Sequence, residues 1–278
     1  MKNNKRFNLM LLTAICTSFL SSNPASASGD ETFVIDIGSS LNQFNSDIKV
    51  NGSSRGTKID LEDDLNFDDE TNINVIKVAW RFADKHRLSM QYTPINRDST
   101  AILDEDIEFQ DTVIFADGVV TAKSEIDIFD INYTYSFYRS DKFEAGLSTG
   151  IYWLSLDFSL EASGLIMNEE GVVAIQDDYK NKVSAEAPLP LIGISATYQL
   201  GRNWDLAANL RYFEASIGDY NGDIYSAQIR TNYYVTNNIG LGLSLASFSL
   251  NVAADDPDWD GAFGWDFTAL EAYLTMRF

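Results

Sequence analysis

The sequence predicts an all-β protein whose strands close into an antiparallel transmembrane β-barrel of ten strands, with eight or twelve left open. Three observations predict it. Apolar and polar residues alternate with a period of two through most of residues 31–278. No stretch after residue 28 has the uninterrupted apolar length that a spanning helix needs. The connections between the alternating stretches divide into a short set and a longer set. A closed barrel is the other structure a bilayer permits, because it bonds every backbone group between strands and asks only that alternate side chains be apolar.

The chain begins with a segment that is not part of this fold. Lys2, Lys5 and Arg6 form a positive region, Phe7 to Leu20 is apolar, and Pro24-Ala25-Ser26-Ala27 offers the small residues a signal peptidase reads. Residues 1–27 are read as a cleaved signal peptide and residues 28–278 as one barrel domain. The apolar run is short for an uncleaved spanning anchor. Cys16, the single cysteine, falls in the leader, so the mature chain is expected to hold no disulfide and no thiolate metal site.

The expected strands cover 31–42, 71–82, 86–97, 122–138, 142–160, 188–200, 203–217, 222–236, 239–253 and 264–278. The last is the clearest: Leu270, Ala272, Leu274, Met276 and Phe278 share one face, and Glu271, Tyr273, Thr275 and Arg277 the other. In two strands the phase slips. Leu147, Ile151 and Trp153 give way to Leu154, Leu156 and Phe158, and Leu241, Leu243 and Leu245 give way to Phe248 and Leu250. A one-residue shift exchanges the faces, so each slip marks either a β-bulge or a strand that has left the membrane. Segment 99–121 either extends its neighbours or forms a hairpin of its own.

Short connections at Ala83-Asp84-Lys85, Arg139-Ser140-Asp141, Gly201-Arg202 and Thr236-Asn237-Asn238 alternate with longer ones through 43–70, 98–121, 161–187 and 254–263, and with a compact one at 218–221. Barrels of this kind keep short turns at the periplasmic end and longer loops outside. Trp80, Phe82, Phe137, Tyr138, Phe143, Tyr198, Trp204, Tyr233, Tyr234 and Phe278 gather at the short-turn ends, as a ring of amphipathic side chains at the headgroup level would.

Charge narrows the function classes. The chain carries a net charge of −21, and loss of the leader leaves 17 basic against 41 acidic residues, or −24. Such a surface repels a phosphate backbone, which argues against nucleic acid as a partner. It suits cations, or an anionic lipid surface met through divalent ions. The face opposite the apolar one carries Asp36, Lys77, Arg81, Arg87, Asp130, Glu144, Asp205, Arg211, Arg230, Glu271 and Arg277. These are expected to point into the lumen and to pair across it, since an unpaired buried charge is costly. Ten strands enclose too little space for an open pore, which takes roughly 16.

The stretch Leu270 to Phe278, with its terminal Phe and alternate apolar residues, resembles the assembly signal of bacterial outer-membrane proteins. Gly56-Thr57-Lys58-Ile59-Asp60-Leu61-Glu62-Asp63-Asp64-Leu65, the segment Pro188-Leu189-Pro190-Leu191 and the Arg277-Phe278 ending resemble a group of small outer-membrane barrels without a settled function. The resemblance implies a Gram-negative outer membrane, with its lipid and lipopolysaccharide and the barrel-assembly machinery as partners. It implies no catalytic residues, and it leaves the oligomeric state open.

Enzymes of such membranes, omptin proteases among them, use a histidine base with a serine or aspartate. His86 is the one histidine, placed at a short turn, where it reads as a polar turn residue. The most unusual local feature is the acidic run of Asp60, Glu62, Asp63, Asp64, Asp68 and Asp69. It could bind Ca2+ or Mg2+, which prefer several oxygen ligands, although no Gly stands where an EF-hand turn needs one. Its apolar partners Ile59, Leu61, Leu65 and Phe67 could instead fold onto the barrel rim, and a solvated outer loop weighs more than a metal site. Asp255, Asp256, Asp258 and Asp260 form a second acidic loop of the same kind. The sequence therefore favours a non-enzymatic barrel with an envelope-structural or surface-binding role through acidic loops. A narrow channel for small cationic solutes comes next, and an outer-membrane hydrolase third.

Overall fold

The computed structural model of the chain describes residues 31–50, 57–109, 112–168, 171–217, 220–256 and 259–278. The expected leader, 1–27, lies outside them. The strands in chain order are β1 (Phe33–Val50), β2 (Ile59–Asp60), β3 (Glu70–Ala83), β4 (His86–Ile102), β5 (Ile107–Phe109), β6 (Thr112–Ile114), β7 (Val119–Arg139), β8 (Phe143–Asn168), β9 (Gly171–Gln199), β10 (Trp204–Ile217), β11 (Tyr220–Tyr234), β12 (Ile239–Asp256) and β13 (Trp259–Arg277). No helix among the described residues is long and apolar enough to cross a membrane.

Ten strands form a closed antiparallel ring, with β2, β5 and β6 outside it. β13 returns to β1 along Val34↔Arg277 through Val50↔Gly261. The start of β1 meets the end of β13 at the short-turn end: Thr32 N–H and Phe33 N–H donate to the Phe278 carbonyl at 2.6 and 3.1 Å, and Phe278 N–H donates to the Phe33 carbonyl at 2.8 Å. Segment 99–121 does both things open to it. Its ends extend β4 and β7, paired from Ser99↔Ala122 to Ile102↔Val119. Its middle makes the β5–β6 hairpin, which lies against β8.

The ring strands run further outward than expected, and this corrects the loop reading. β1 reaches Val50, and the supposed loop 161–187 is largely the upper part of the β8–β9 hairpin. Alternation persists through these stretches with its sign reversed, apolar side chains inward and polar ones outward. The two phase slips show this. β8 pairs with β7 without interruption through Phe129↔Trp153 and Ile128↔Leu154. β12 likewise keeps register with both neighbours. Neither slip is a bulge. Irregularities fall instead at Arg81/Ala83, Ser136/Tyr138 and Ala162/Gly164. The second turns both Phe137 and Tyr138 outward.

The same reversal occurs around the whole barrel. Near the short turns, large apolar side chains face out: Ile37 and Leu41 on β1, Ile76 to Phe82 on β3, Phe129 to Phe137 on β7, Leu241 to Leu245 on β12. Counted from Phe33 to Leu41, Ile76 to Phe82, Phe129 to Phe137 and Ile239 to Leu245, the stretches run seven to nine residues, close to the roughly nine to eleven a tilted strand needs to cross a bilayer. Beyond it the outward positions are polar, as with Asn45, Asp98, Glu125, Asp127, Asn251 and Asp266. There the interior becomes apolar. Phe44, Ile73, Ile95, Ile128, Leu154, Leu191, Ile224, Phe248 and Trp265 are buried in one cluster, and Phe213 of β10 packs against it. Every ring strand thus contributes to an apolar disc. The lower wall turns apolar side chains outward and polar ones inward, and the upper wall does the reverse.

One seam interrupts the wall. The β9–β10 ladder stops at Tyr212↔Ile192. Gln199 N–H donates toward β8 and Leu200 N–H toward β10, so even-numbered residues of β9 aim their amides at β10. Pro190 and Pro188 follow in that parity and have no amide to give.

Candidate functional site

The lower lumen is crossed by ion pairs. Arg230 meets Asp36 at 2.8 Å, and Arg211 meets both Asp130 oxygens at 3.0 and 2.9 Å. Arg81 holds both Glu144 oxygens at 2.9 Å, with Ser136 donating to the same carboxylate. Arg87 meets Glu31 at 2.9 Å. Asp205 accepts from Asn232 at 2.7 Å, and Arg277 lies 3.7 Å over the Tyr234 ring. Aromatic rings also cover the central cations: Tyr152 at Arg211 and Tyr273 at Arg230, at 4.7 and 4.8 Å. Lys77 and Glu271 line the central space. All eleven charged residues assigned to the inner face thus lie in the lumen. Such pairs contribute little net stability, but removing one partner strands the other in a poorly hydrated place.

Close packing at the seam of β13 makes room for Tyr273. Gly38 on β1 and Gly242 on β12 both stand opposite it. A Cβ on Gly242 would come within 2.1 Å of the ring, which instead reaches Asn232 through its hydroxyl at 2.7 Å.

The acidic run folds inward as a plug. Ile59, Leu61, Leu65 and Phe67 are buried in the apolar disc, and Glu62 follows them. Glu62 accepts from Arg97 at 2.5 Å, from Ser46 Oγ at 3.0 Å and from Ser46 N–H at 2.7 Å. The Arg97 guanidinium lies between the Phe44 and Phe67 rings, at 4.7 and 5.1 Å. Asp60 closes the turn by accepting from Glu62 N–H and Asp63 N–H at 3.0 and 2.8 Å, and Asp64 accepts from Asp60 N–H at 2.8 Å. Asp63, Asp64, Asp68 and Asp69 stay exposed. Among the described residues, no three His, Cys, Asp or Glu side chains converge as a metal site would require. Asp258 lies outside the described residues, and the side chains of Asp255, Asp256 and Asp260 are not described.

The lower ring of aromatics is present with one correction. Trp80, Phe82, Phe137, Tyr138, Phe143, Tyr198, Trp204, Tyr233 and Phe278 face out, but Tyr234 is buried under Arg277 because strand alternation turns it inward. His86 joins this ring. Its Nδ1 lies 2.6 Å from the Tyr133 hydroxyl, beside Phe82 and Tyr135. Sequence reasoning missed a second ring at the upper edge of the apolar band: Tyr92, Phe129, Trp153, Tyr212 and Tyr225. There Tyr92 donates to Asp127 at 2.7 Å and Tyr212 to Glu214 at 2.6 Å, so the hydroxyls reach polar ground while the rings stay in the apolar band. The signal was legible as the last outward aromatic before each polar stretch. Leu270, Ala272, Leu274 and Phe278 of the terminal segment lie on the outer wall.

An apolar outer band, aromatic rings at its two edges and a charged lumen within a closed ten-stranded ring define a small outer-membrane-type β-barrel. The structural neighbours of the chain are bacterial outer-membrane proteins. It is similar to the outer-membrane protease OmpT from Escherichia coli, with a TM-score of 0.55, 14% identity, and coverage of 93% of this chain and 100% of that one. Lower similarities reach the toluene transporter TodX from Pseudomonas putida (TM-score 0.37, 10% identity, 92% and 93% covered) and the attachment invasion locus protein Ail of Yersinia pestis (0.34, 8%, 88% and 99%). At these identities the likeness is one of fold. No family model and no curated protein matches the sequence.

Proposed function

We propose that this protein is a sealed, non-enzymatic barrel of the Gram-negative outer membrane that raises a rigid, acidic surface above the lipid for structural or binding contact. The observation that carries this is the apolar disc, to which every ring strand contributes and into which the segment Ile59 to Phe67 is packed. Ions do not cross a dry apolar layer without a hydration path. The polar outer wall above the band supports a surface role, and its carboxylates suit contact with lipopolysaccharide through divalent ions. The outward row of the terminal strand supports recognition by the barrel-assembly machinery. For the non-enzymatic reading, His86 speaks most directly: it sits on the outer wall among aromatics, away from the lumen. Purified barrel reconstituted in a planar bilayer is expected to pass no current. Steady unit conductances would replace this reading with the channel.

A further inference from the structure

The central lumen leaves two charges without a close partner. Asp36 stands opposite Lys77 in the β1–β3 register, yet it gives its contact to Arg230. Asp130 gives its contact to Arg211. Glu271 stands opposite Ser40 and Ser244, neither of them charged. Among the described residues, Lys77 and Glu271 therefore make no ion pair, although Glu271 has Lys77 among its electrostatic neighbours and Lys77 has Asp36 and Asp130.

Both side chains line one cavity of about 100 Å³, bounded above by Tyr152, Phe248 and Phe267 of the apolar disc. Lys77 also lines a cavity of about 150 Å³ that reaches the short-turn end at Arg139 and Lys142. The two cavities share walls, among them Asn132 and Asn209, whose Oδ1 atoms are buried and accept no hydrogen bond. The result is a blind polar cup, entered from the short-turn end and roofed by hydrocarbon.

A lone anion in this cup would satisfy Lys77 and leave Glu271 uncompensated, and a lone cation would do the reverse. A molecule carrying both charges satisfies both and spares each the cost of an unpaired charge. We propose that the cup binds a small zwitterion of the amino-acid class, its carboxylate on Lys77 and its ammonium on Glu271, with Asn132 and Asn209 as further acceptors. This goes beyond the sealed-barrel reading and does not rest on it, since the cup lies below the disc.

The test titrates the folded mature barrel in detergent, by calorimetry, with glycine, β-alanine and 4-aminobutyrate. Acetate and methylammonium serve as single-charge probes. Saturable binding of at least one amino acid is expected, about tenfold or more tighter than either single-charge probe. Lys77→Met and Glu271→Gln are each expected to weaken it by about tenfold or more. Gel mobility before and after heating reports whether each variant is folded. If either is not, Lys77→Arg and Glu271→Asp keep the charges and change their spacing, and are expected to alter the preference among the three amino acids. The proposal is overturned if the amino acids bind no better than acetate or methylammonium. It is equally overturned if folded neutral variants bind as the parent does, or if the charge-conserving pair leaves the preference unchanged.

Discussion

Arg97 of β4 and Glu62 of the folded-in acidic segment meet at 2.5 Å with side chains 4% and 12% exposed. The same guanidinium donates to Ser46 Oγ at 3.1 Å and to the Asp68 carbonyl at 2.9 Å. One cation thereby ties β1 and both ends of the plug to the barrel wall.

Arg97→Met is expected to lower unfolding stability by about 3–5 kcal/mol, because Glu62 is left buried without its partner. The double change Arg97→Met with Glu62→Leu is expected to recover much of the loss. Urea unfolding in detergent measures both, and proteolysis within 57–69 should quicken in the single variant alone.

Gly242→Val is expected to cost about 1–3 kcal/mol through overpacking, since the new side chain meets the Tyr273 ring. Pairing it with Tyr273→Ala removes the collision. Heat-modifiable gel mobility and midpoints of thermal unfolding give the comparison, and equal stability of G242V and the parent would contradict the packing.

The height of the apolar band can be located on a single strand. Leu243 and Asn251 both face outward on β12, one within the band and one above it. Leu243→Arg is expected to destabilise the inserted barrel by about 2–4 kcal/mol, whereas Asn251→Arg is expected to stay within about 0.5 kcal/mol. Unfolding from lipid vesicles reads the difference, and similar losses at both sites would mean that the band is misplaced.

Replacing Pro188 and Pro190 together by Val restores two amides aimed at β10. The ladder is then expected to extend past Tyr212↔Ile192, with the β9-facing amides of Glu214 and Ser216 exchanging about fivefold more slowly for each hydrogen bond of about 1 kcal/mol gained. Hydrogen exchange followed by mass spectrometry gives the rates. Unchanged exchange there would show that something other than proline chemistry ends the ladder.

Much of the ring was legible because a period-two pattern assigns each residue a face without knowledge of its neighbours. That is why Asp36, Arg211 and Glu271 could be placed inside from parity alone. The reversal of polarity was not legible, because Trp153-Leu154 reads identically as a bulge and as an exit from lipid. Only the partner strand's register, Phe129↔Trp153 followed by Ile128↔Leu154, separates the two. The fate of the acidic run was half legible. Leu61, Leu65 and Phe67 announced an apolar face, but the residue that pins Glu62 lies 35 positions away, on an inward parity that no local pattern connects to it. The unspent pair Lys77 and Glu271 could not be seen at all, since which carboxylate each arginine takes is decided across the lumen.

A wall that is greasy near one rim and wettable near the other must make a directed journey. The first described strand begins, and the last ends, at the greasy rim, so every hairpin tip has to travel the full thickness of the lipid to reach the far side. Above the band the outer wall carries Glu125, Asp127 and Asp157, and each such charge costs about 2.5–3.5 kcal/mol at mid-bilayer even by the lenient scales. Insertion without a catalyst is therefore expected to be slow, and the rate of spontaneous refolding into lipid vesicles measures it.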